Sequence, residues 1–267
     1  MIPYREFFGF SKEPFSQDVG LNELYPLKAL APCVDRFEYT VSMGAVCVIT
    51  GDIGAGKSTT LRYCASRLHP SRYKSIALIA HTGRWNEFLR QVILSFGAVC
   101  GTQSVTTLIK TARDLLFEVV DKKQTPVLLV DEAHLMRPEL FYQLHTLTQF
   151  EYDSKSILPM VLAGQNQLLE RLGAYQARPL ASRVIGKTHL EALSQKEMGA
   201  YLEHHLRVAG SNEGLWGENT TLAIYQGSGG FPRRANMLAR GALIAAAREK
   251  TRVVTPEHVR LADTELI

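Results

Sequence analysis

Residues 51–58 read Gly51-Asp52-Ile53-Gly54-Ala55-Gly56-Lys57-Ser58 and satisfy the pattern G-x-x-x-x-G-K-[ST] at every fixed position. The flanks suit the pattern. Ala45 to Thr50 is a short apolar run of strand type, and Ser58 to Leu68 has the composition of a helix. A strand, a glycine turn and a helix start confine this stretch to a unit that cradles an anion. Glycines admit backbone angles that a side chain forbids and let amides crowd a phosphate. The helix start adds unpaired N–H donors and the positive end of a dipole. Gly51, Asp52, Ile53, Gly54, Ala55, Gly56, Lys57, Ser58 and Thr59 are therefore the expected nucleotide-binding residues. Lys57 can reach the β- and γ-phosphates of ATP, and the Ser58 hydroxyl can ligate magnesium.

A second stretch completes the chemistry. Thr125-Pro126-Val127-Leu128-Leu129-Val130-Asp131-Glu132 is an apolar run ending in two acids. Such a run suits a strand buried on both faces, as parallel sheets require. The acids then emerge at its carboxyl end, where open α/β sheets bind ligands. Asp131 is expected to hold magnesium, directly or through water, and Glu132 to polarise the attacking water.

The 267 residues suffice for one large or two small domains. No run approaches 18 uninterrupted apolar residues, so no membrane span is expected. The start, Met1 to Phe8, lacks the basic and apolar segments of a secretion signal, which makes the cytoplasm the expected location. Cys33, Cys47, Cys64 and Cys100 are widely spaced with no C-x-x-C pair, and read as small core residues rather than as disulfides or a zinc site. A net charge of +4 permits nucleic-acid binding without demanding it.

Three regions follow from the pattern. Residues 1–40 form an aromatic-rich arm expected to pack on the core, with Tyr25, between Leu24 and Pro26, placed to cover an adenine base. Residues 41–190 alternate strand and helix signals and predict a mostly parallel α/β sheet with helices on both faces. Helices are expected from near Asn86 to Phe96, over Ser104–Lys122 and over Pro138–Phe150, and strands at 74–80 and 156–164. In the second helix, Leu108, Ala112, Leu115, Leu116 and Val119 fall near helical spacing. Residues 191–267 predict a helical lid: Ser194–Val208 behind a capping box, Asn219–Gln226, Pro232–Glu249 and Pro256–Leu266. His134 reads as a packing residue, and His204-His205 as exposed surface on a lid helix.

A phosphate loop, a D-E strand end and a helical lid together resemble an AAA+ ATPase. The opening Phe7-Phe8-Gly9-Phe10-Ser11-Lys12-Glu13-Pro14-Phe15 resembles the start of ExeA-type members. Asp131-Glu132-Ala133-His134-Leu135, Leu162-Ala163-Gly164-Gln165 and Gly229-Gly230-Phe231-Pro232-Arg233-Arg234-Ala235-Asn236 are similar to that group as well. The resemblance implies the P-loop NTPase fold, ATP and magnesium as ligands, and roles for further residues. Gln165 stands where the polar sensor of the γ-phosphate would be. Arg233, with Arg234 as the adjacent candidate, stands at the lid arginine called sensor 2. Arg183, with Arg178 as runner-up, stands at the arginine finger that reaches a neighbouring subunit. A finger acting in trans makes chemistry depend on assembly, so self-association into a ring or filament is implied.

ExeA-like ATPases serve in two settings. Some belong to secretion systems, with a membrane span and a wall-binding domain after the ATPase. Others resemble the TniB, IstB and TnsC groups, which assemble on double-stranded DNA and recruit a transposase. The stop after the lid leads us to expect the second setting, regulation of DNA transposition. Arg84, Lys110, Arg113, Lys122 and Lys123 offer modest support, as weak backbone contacts summed over an assembly. A secretion-associated ATPase working through protein partners is the alternative. A nucleotide-gated switch with slow hydrolysis is a further one.

Overall fold

The computed structural model describes residues 4–102, 104–148, 156–211 and 214–265. Along the chain run α1 (Tyr4–Phe8), α2 (Leu30–Ser42), β1 (Val46–Gly51), α3 (Lys57–Ser66), β2 (Tyr73–Ile79), α4 (Trp85–Ser95) and α5 (Val105–Asp121). Next come β3 (Thr125–Asp131), α6 (Pro138–Leu144), β4 (Met160–Gly164), α7 (Gln167–Gly173), α8 (Arg178–Ala181) and β5 (Val184–Leu190). The last part is helical: α9 (Gln195–Val208), α10 (Glu218–Ser228), α11 (Pro232–Arg248) and α12 (Pro256–Glu265). Two compact units result. One comprises residues 27–52 and 57–190, the other residues 1–26, 53–56 and 191–267.

The first unit is built on a five-stranded sheet of order β2-β3-β4-β1-β5, with every pair parallel. Parallel pairing needs crossover segments, and these helices cover the faces. The central strands show the consequence in sequence: β1 and β4 are buried throughout, and β3 is buried from Pro126 to Val130. The outer strands β2 and β5 alternate buried and exposed residues instead. No strand is expected from sequence at β5, because Lys187, Thr188 and His189 interrupt the apolar continuity that marks a strand covered on both faces.

The helices bury the faces their spacing dictates. Leu108, Ala112, Leu116 and Val119 of α5 are buried, and Leu115 packs half-buried against the same core. Trp85, Phe88 and Leu89 of α4 join them there with Leu128, Val130, Met160 and Leu162. α6 ends at Leu144 and tightens into a 3-10 turn at His145–Leu147, shorter than the expected helix, whose end at Phe150 lies outside the described residues. Cys33, Cys47 and Cys64 are free and fully buried, as small core residues should be.

The second unit is a helical bundle. Ser194 Oγ accepts from Glu197 N at 3.3 Å, and Glu197 Oε2 accepts from Ser194 N at 2.9 Å, closing the capping box that starts α9. Ala235, Leu238, Ala239, Ala242, Leu243 and Ala246 form the buried stripe of α11. α12 follows where a last helix is expected, and Leu266 lies outside the described residues.

Two expectations need correction here. The N-terminal arm is not one segment: its residues divide between the two units. Residues 4–26 pack within the helical unit, where Phe15 stacks on Trp216 at 5.9 Å and Ser11 N donates to Ala209 O at 2.9 Å. Leu30–Ser42 instead forms α2 of the α/β unit, burying Cys33, Phe37, Thr40 and Val41. The aromatic residues of the arm thus find aromatic partners on α9 and the segment after it, which no local spacing could reveal. His205 is likewise not surface. It is buried between Phe15 and Tyr201, and that burial pushes its imidazole down to about 4. Its neighbour His204 is half-buried, and its Nε2–H donates to the Glu23 carbonyl at 2.7 Å.

Candidate nucleotide site

β1 runs directly into the glycine loop, and α3 begins at Lys57. Gly54 and Gly56 hold φ of 84° and 95°, angles that side chains resist, which is why the fixed pattern demands glycine at the second of these positions. Lys57 is buried, at 6% exposure, and its Nζ donates to the carbonyls of Gly51 at 3.0 Å and Asp52 at 2.8 Å. A buried ammonium must be paired with acceptors, and the loop's own backbone supplies them. Ser58 and Thr59 stand exposed in the first turn of α3.

The acids sit at the carboxyl end of β3. Glu132 N donates to Asp131 Oδ1 at 2.8 Å. Glu132 itself takes the left-handed conformation, φ 52° and ψ 32°, and opens a 3-10 turn over Ala133–Leu135. That turn folds His134 under the strand ends. His134 is buried, with Nδ1 3.2 Å from Glu132 Oε2 and Nε2 3.0 Å from Gln165 Nε2. β4 lies beside β3 in the sheet and ends at Gly164. A Cβ on Gly164 would stand 2.9 Å from His134 N, so the close approach of the turn to β4 needs glycine there.

Burial holds the His134 imidazole below its ordinary value against the pull of Glu132; the cations Lys57 and Arg171 add to the lowering, and Asp131 opposes it. The neutral form of the ring is thereby favoured. With the amide nitrogen of Gln165 facing it, Nε2 accepts and the ring proton sits on Nδ1, opposite the carboxylate.

The structure thus gathers Glu132, Gln165 and Asp131 at neighbouring strand ends, as the sequence implies, and adds His134 between the first two. The only sequence signal for His134 is its place in Asp131-Glu132-Ala133-His134; its second partner lies 31 residues away.

The arginines fall elsewhere. Val46 N donates to Arg183 O at 2.9 Å, which puts Arg183 at the amino end of β1. The six residues of β1 at roughly 3.3 Å each separate that end from the loop by about 20 Å. Arg178 is exposed, its guanidinium 4.8 Å from the centre of the Tyr175 ring. In the helical unit, Arg234 pairs with Asp263 at 2.9 Å, whereas Arg233 N donates to Gly54 O at 3.2 Å. Tyr25, also in that unit, is half-buried and meets Tyr201 and His204 edge-on at 5.5 Å each. Among the sequence's other cations, Arg84 precedes α4, where its N donates to Glu87 Oε2 at 2.6 Å, and Arg113 donates to Thr146 O at 3.0 Å.

Residues 42–172 match the family model described as AAA domain. Over 269 aligned residues the chain is 31% identical to General secretion pathway protein A of Aeromonas hydrophila, with 98% of this chain and 48% of that protein covered. The chain therefore spans about half the length of that relative. Among solved structures it resembles Cdc6p from Pyrobaculum aerophilum, with a TM-score of 0.73 at 15% identity over 95% of this chain and 70% of that one. It also resembles the Aeropyrum pernix ORC1 protein, solved in complex with DNA, with a TM-score of 0.73 at 17% identity over 94% of this chain and 68% of that one. At these identities the structural likeness is one of fold.

Proposed function

We propose that this chain, whose residues 42–172 match the AAA domain model on a parallel α/β sheet, is an AAA+ ATPase that spends ATP on protein partners of a secretion assembly. The observation that carries this reading is the identity of 31%, sustained over 98% of the chain, to a general secretion pathway protein. Because the chain spans 48% of that relative, the stop after the lid carries no weight against it.

Each residue then has a task. The amides of Gly51 to Thr59 hold the phosphates, and Lys57 exchanges carbonyl oxygens for phosphate oxygens. Ser58 and Asp131 would hold magnesium. One hydroxyl and one carboxylate suit an ion that keeps water and phosphate oxygens for its other positions. When bound, magnesium neutralises charge on the phosphate oxygens. Glu132, about a third exposed, takes a proton from the attacking water while Gln165 orients it.

Arg233 is our choice for the lid arginine, since Arg234 is engaged with Asp263. Arg183 is our choice for the finger: its place at the amino end of the sheet suits an arginine that serves a neighbouring subunit and not its own loop. Tyr25 is assigned to the base, and self-association into a ring or filament follows from the finger.

A second reading, assembly on DNA to regulate transposition, is favoured by one observation: a structure of similar fold was solved in complex with DNA. Steady-state hydrolysis measured with and without duplex DNA at rising salt separates the two. Indifference to DNA supports the secretion reading. Stimulation that fades with salt overturns it, because phosphate contacts weaken steeply as salt rises. Electron microscopy of the Glu132→Gln protein with ATP tests assembly: only single subunits at saturating nucleotide would remove the ring or filament.

A further inference from the structure

The turn after the two acids holds more than packing. His134 is 5% exposed, yet among the described residues its Nδ1 has no aligned hydrogen-bond acceptor, and it lies 3.2 Å from Glu132 Oε2. Leaving such a nitrogen buried is costly unless the site uses it. Its other nitrogen is engaged by Gln165 at 3.0 Å. Two backbone features create the arrangement. Glu132 adopts φ 52°, which disfavours a non-glycine residue, and Gly164 gives up its side chain so that the His134 backbone can approach β4. A ring that only filled space would require neither feature, and an apolar residue would fill it without burying a polar atom.

We propose that His134 is a positioning residue for hydrolysis: its Nδ1–H holds the Glu132 carboxylate while its Nε2 accepts the Gln165 amide proton, so base and sensor are set as one unit. The proposal rests on the ATPase reading and on the tasks given to Glu132 and Gln165. The 3.2 Å separation is already within hydrogen-bond distance, so the bond needs the carboxylate to align with the N–H and no closer approach. The coupling gives a physical route by which a phosphate sensed at Gln165 fixes the orientation of the carboxylate, since the neutral ring can donate on one side only while it accepts on the other.

The test uses the whole chain. Turnover, KM and affinity for a fluorescent ATP analogue are measured for wild type, His134→Ala, His134→Asn, Gln165→Ala and the His134→Ala/Gln165→Ala double variant, with folding checked by circular dichroism. His134→Ala is expected to lower kcat about 10- to 100-fold with analogue affinity within about threefold of wild type. His134→Asn places an amide N–H near the Nδ1 position and should recover at least about fivefold of that loss. The double variant should be no slower than the slower single one to within about twofold, as for residues acting through one another. Wild-type kcat in His134→Ala, equal loss in the alanine and asparagine variants, or multiplying losses in the double variant would overturn the proposal. If His134→Ala fails to fold, His134→Leu takes its place in the same comparison, and the same outcomes support or overturn the proposal. Absence of Lys57-dependent turnover in wild type would instead bring down the hydrolase reading itself.

Discussion

The phosphate loop and the cluster at the ends of β3 and β4 are two halves of one chemistry, and they are built in opposite ways. The loop is contiguous. Its glycines, its lysine and the carbonyls that hold the lysine all lie within residues 51–58. The cluster is assembled at the ends of two separate strands, with His134 standing between Glu132 and Gln165, the latter 31 positions further along the sequence. A contiguous device grips phosphate from local backbone geometry alone. An assembled device changes with strand register and with whatever occupies the neighbouring strand end. On the proposed function, binding falls to the first and the timing of bond cleavage to the second.

Lys57→Ala should produce the largest effect, removing the buried ammonium from the loop. We expect loss of more than about a thousandfold in turnover together with loss of analogue binding, read by fluorescence titration and phosphate release. Retained binding would break the assignment of grip to the loop. Glu132→Gln comes next, with turnover down by about 100- to 10,000-fold and binding intact, because only the base is lost. A variant that fails to bind would show that the cluster, too, serves grip. Gly164→Ala probes the assembled half without touching a polar group. The added methyl meets His134 N at 2.9 Å, so the turn must shift. We expect about tenfold slower turnover, unchanged nucleotide affinity, and about 1–3 kcal/mol lost in a denaturant melt. Normal turnover would mean that the spacing between turn and strand is immaterial. The smallest effect belongs to Arg234→Ala. Its pair with Asp263 is half exposed, so stability should change by about 0–1 kcal/mol and turnover by less than about twofold. A large loss there would transfer the lid role from Arg233 to Arg234.

Much of the architecture was legible along the chain. Continuous apolar runs marked β1, β3 and β4 because strands buried on both faces are filled mostly by apolar residues, and the period of α5 named four of its buried positions. β5 escaped because an edge strand keeps polar residues on its open side, and Lys187 and His189 look like loop. The acids at 131 and 132 were visible as the tip of a strand. What could not be seen was the ring beneath them. The second partner of His134, Gln165, lies 31 residues away, so the histidine reads as packing until β4 is laid beside β3.

The sequence by itself determined the glycine loop, the lysine in it, the acid-tipped strand and the helical character of the last 75 or so residues. Each depends on neighbours within a few positions, where backbone angles and periodicity act directly. Only the tertiary structure decided that the arm divides between two units, that His205 is buried, and that one imidazole stands between Glu132 and Gln165. Those facts depend on which surfaces meet after the chain has folded back on itself, and burial and pairing across such distances leave no periodic mark in the order of residues.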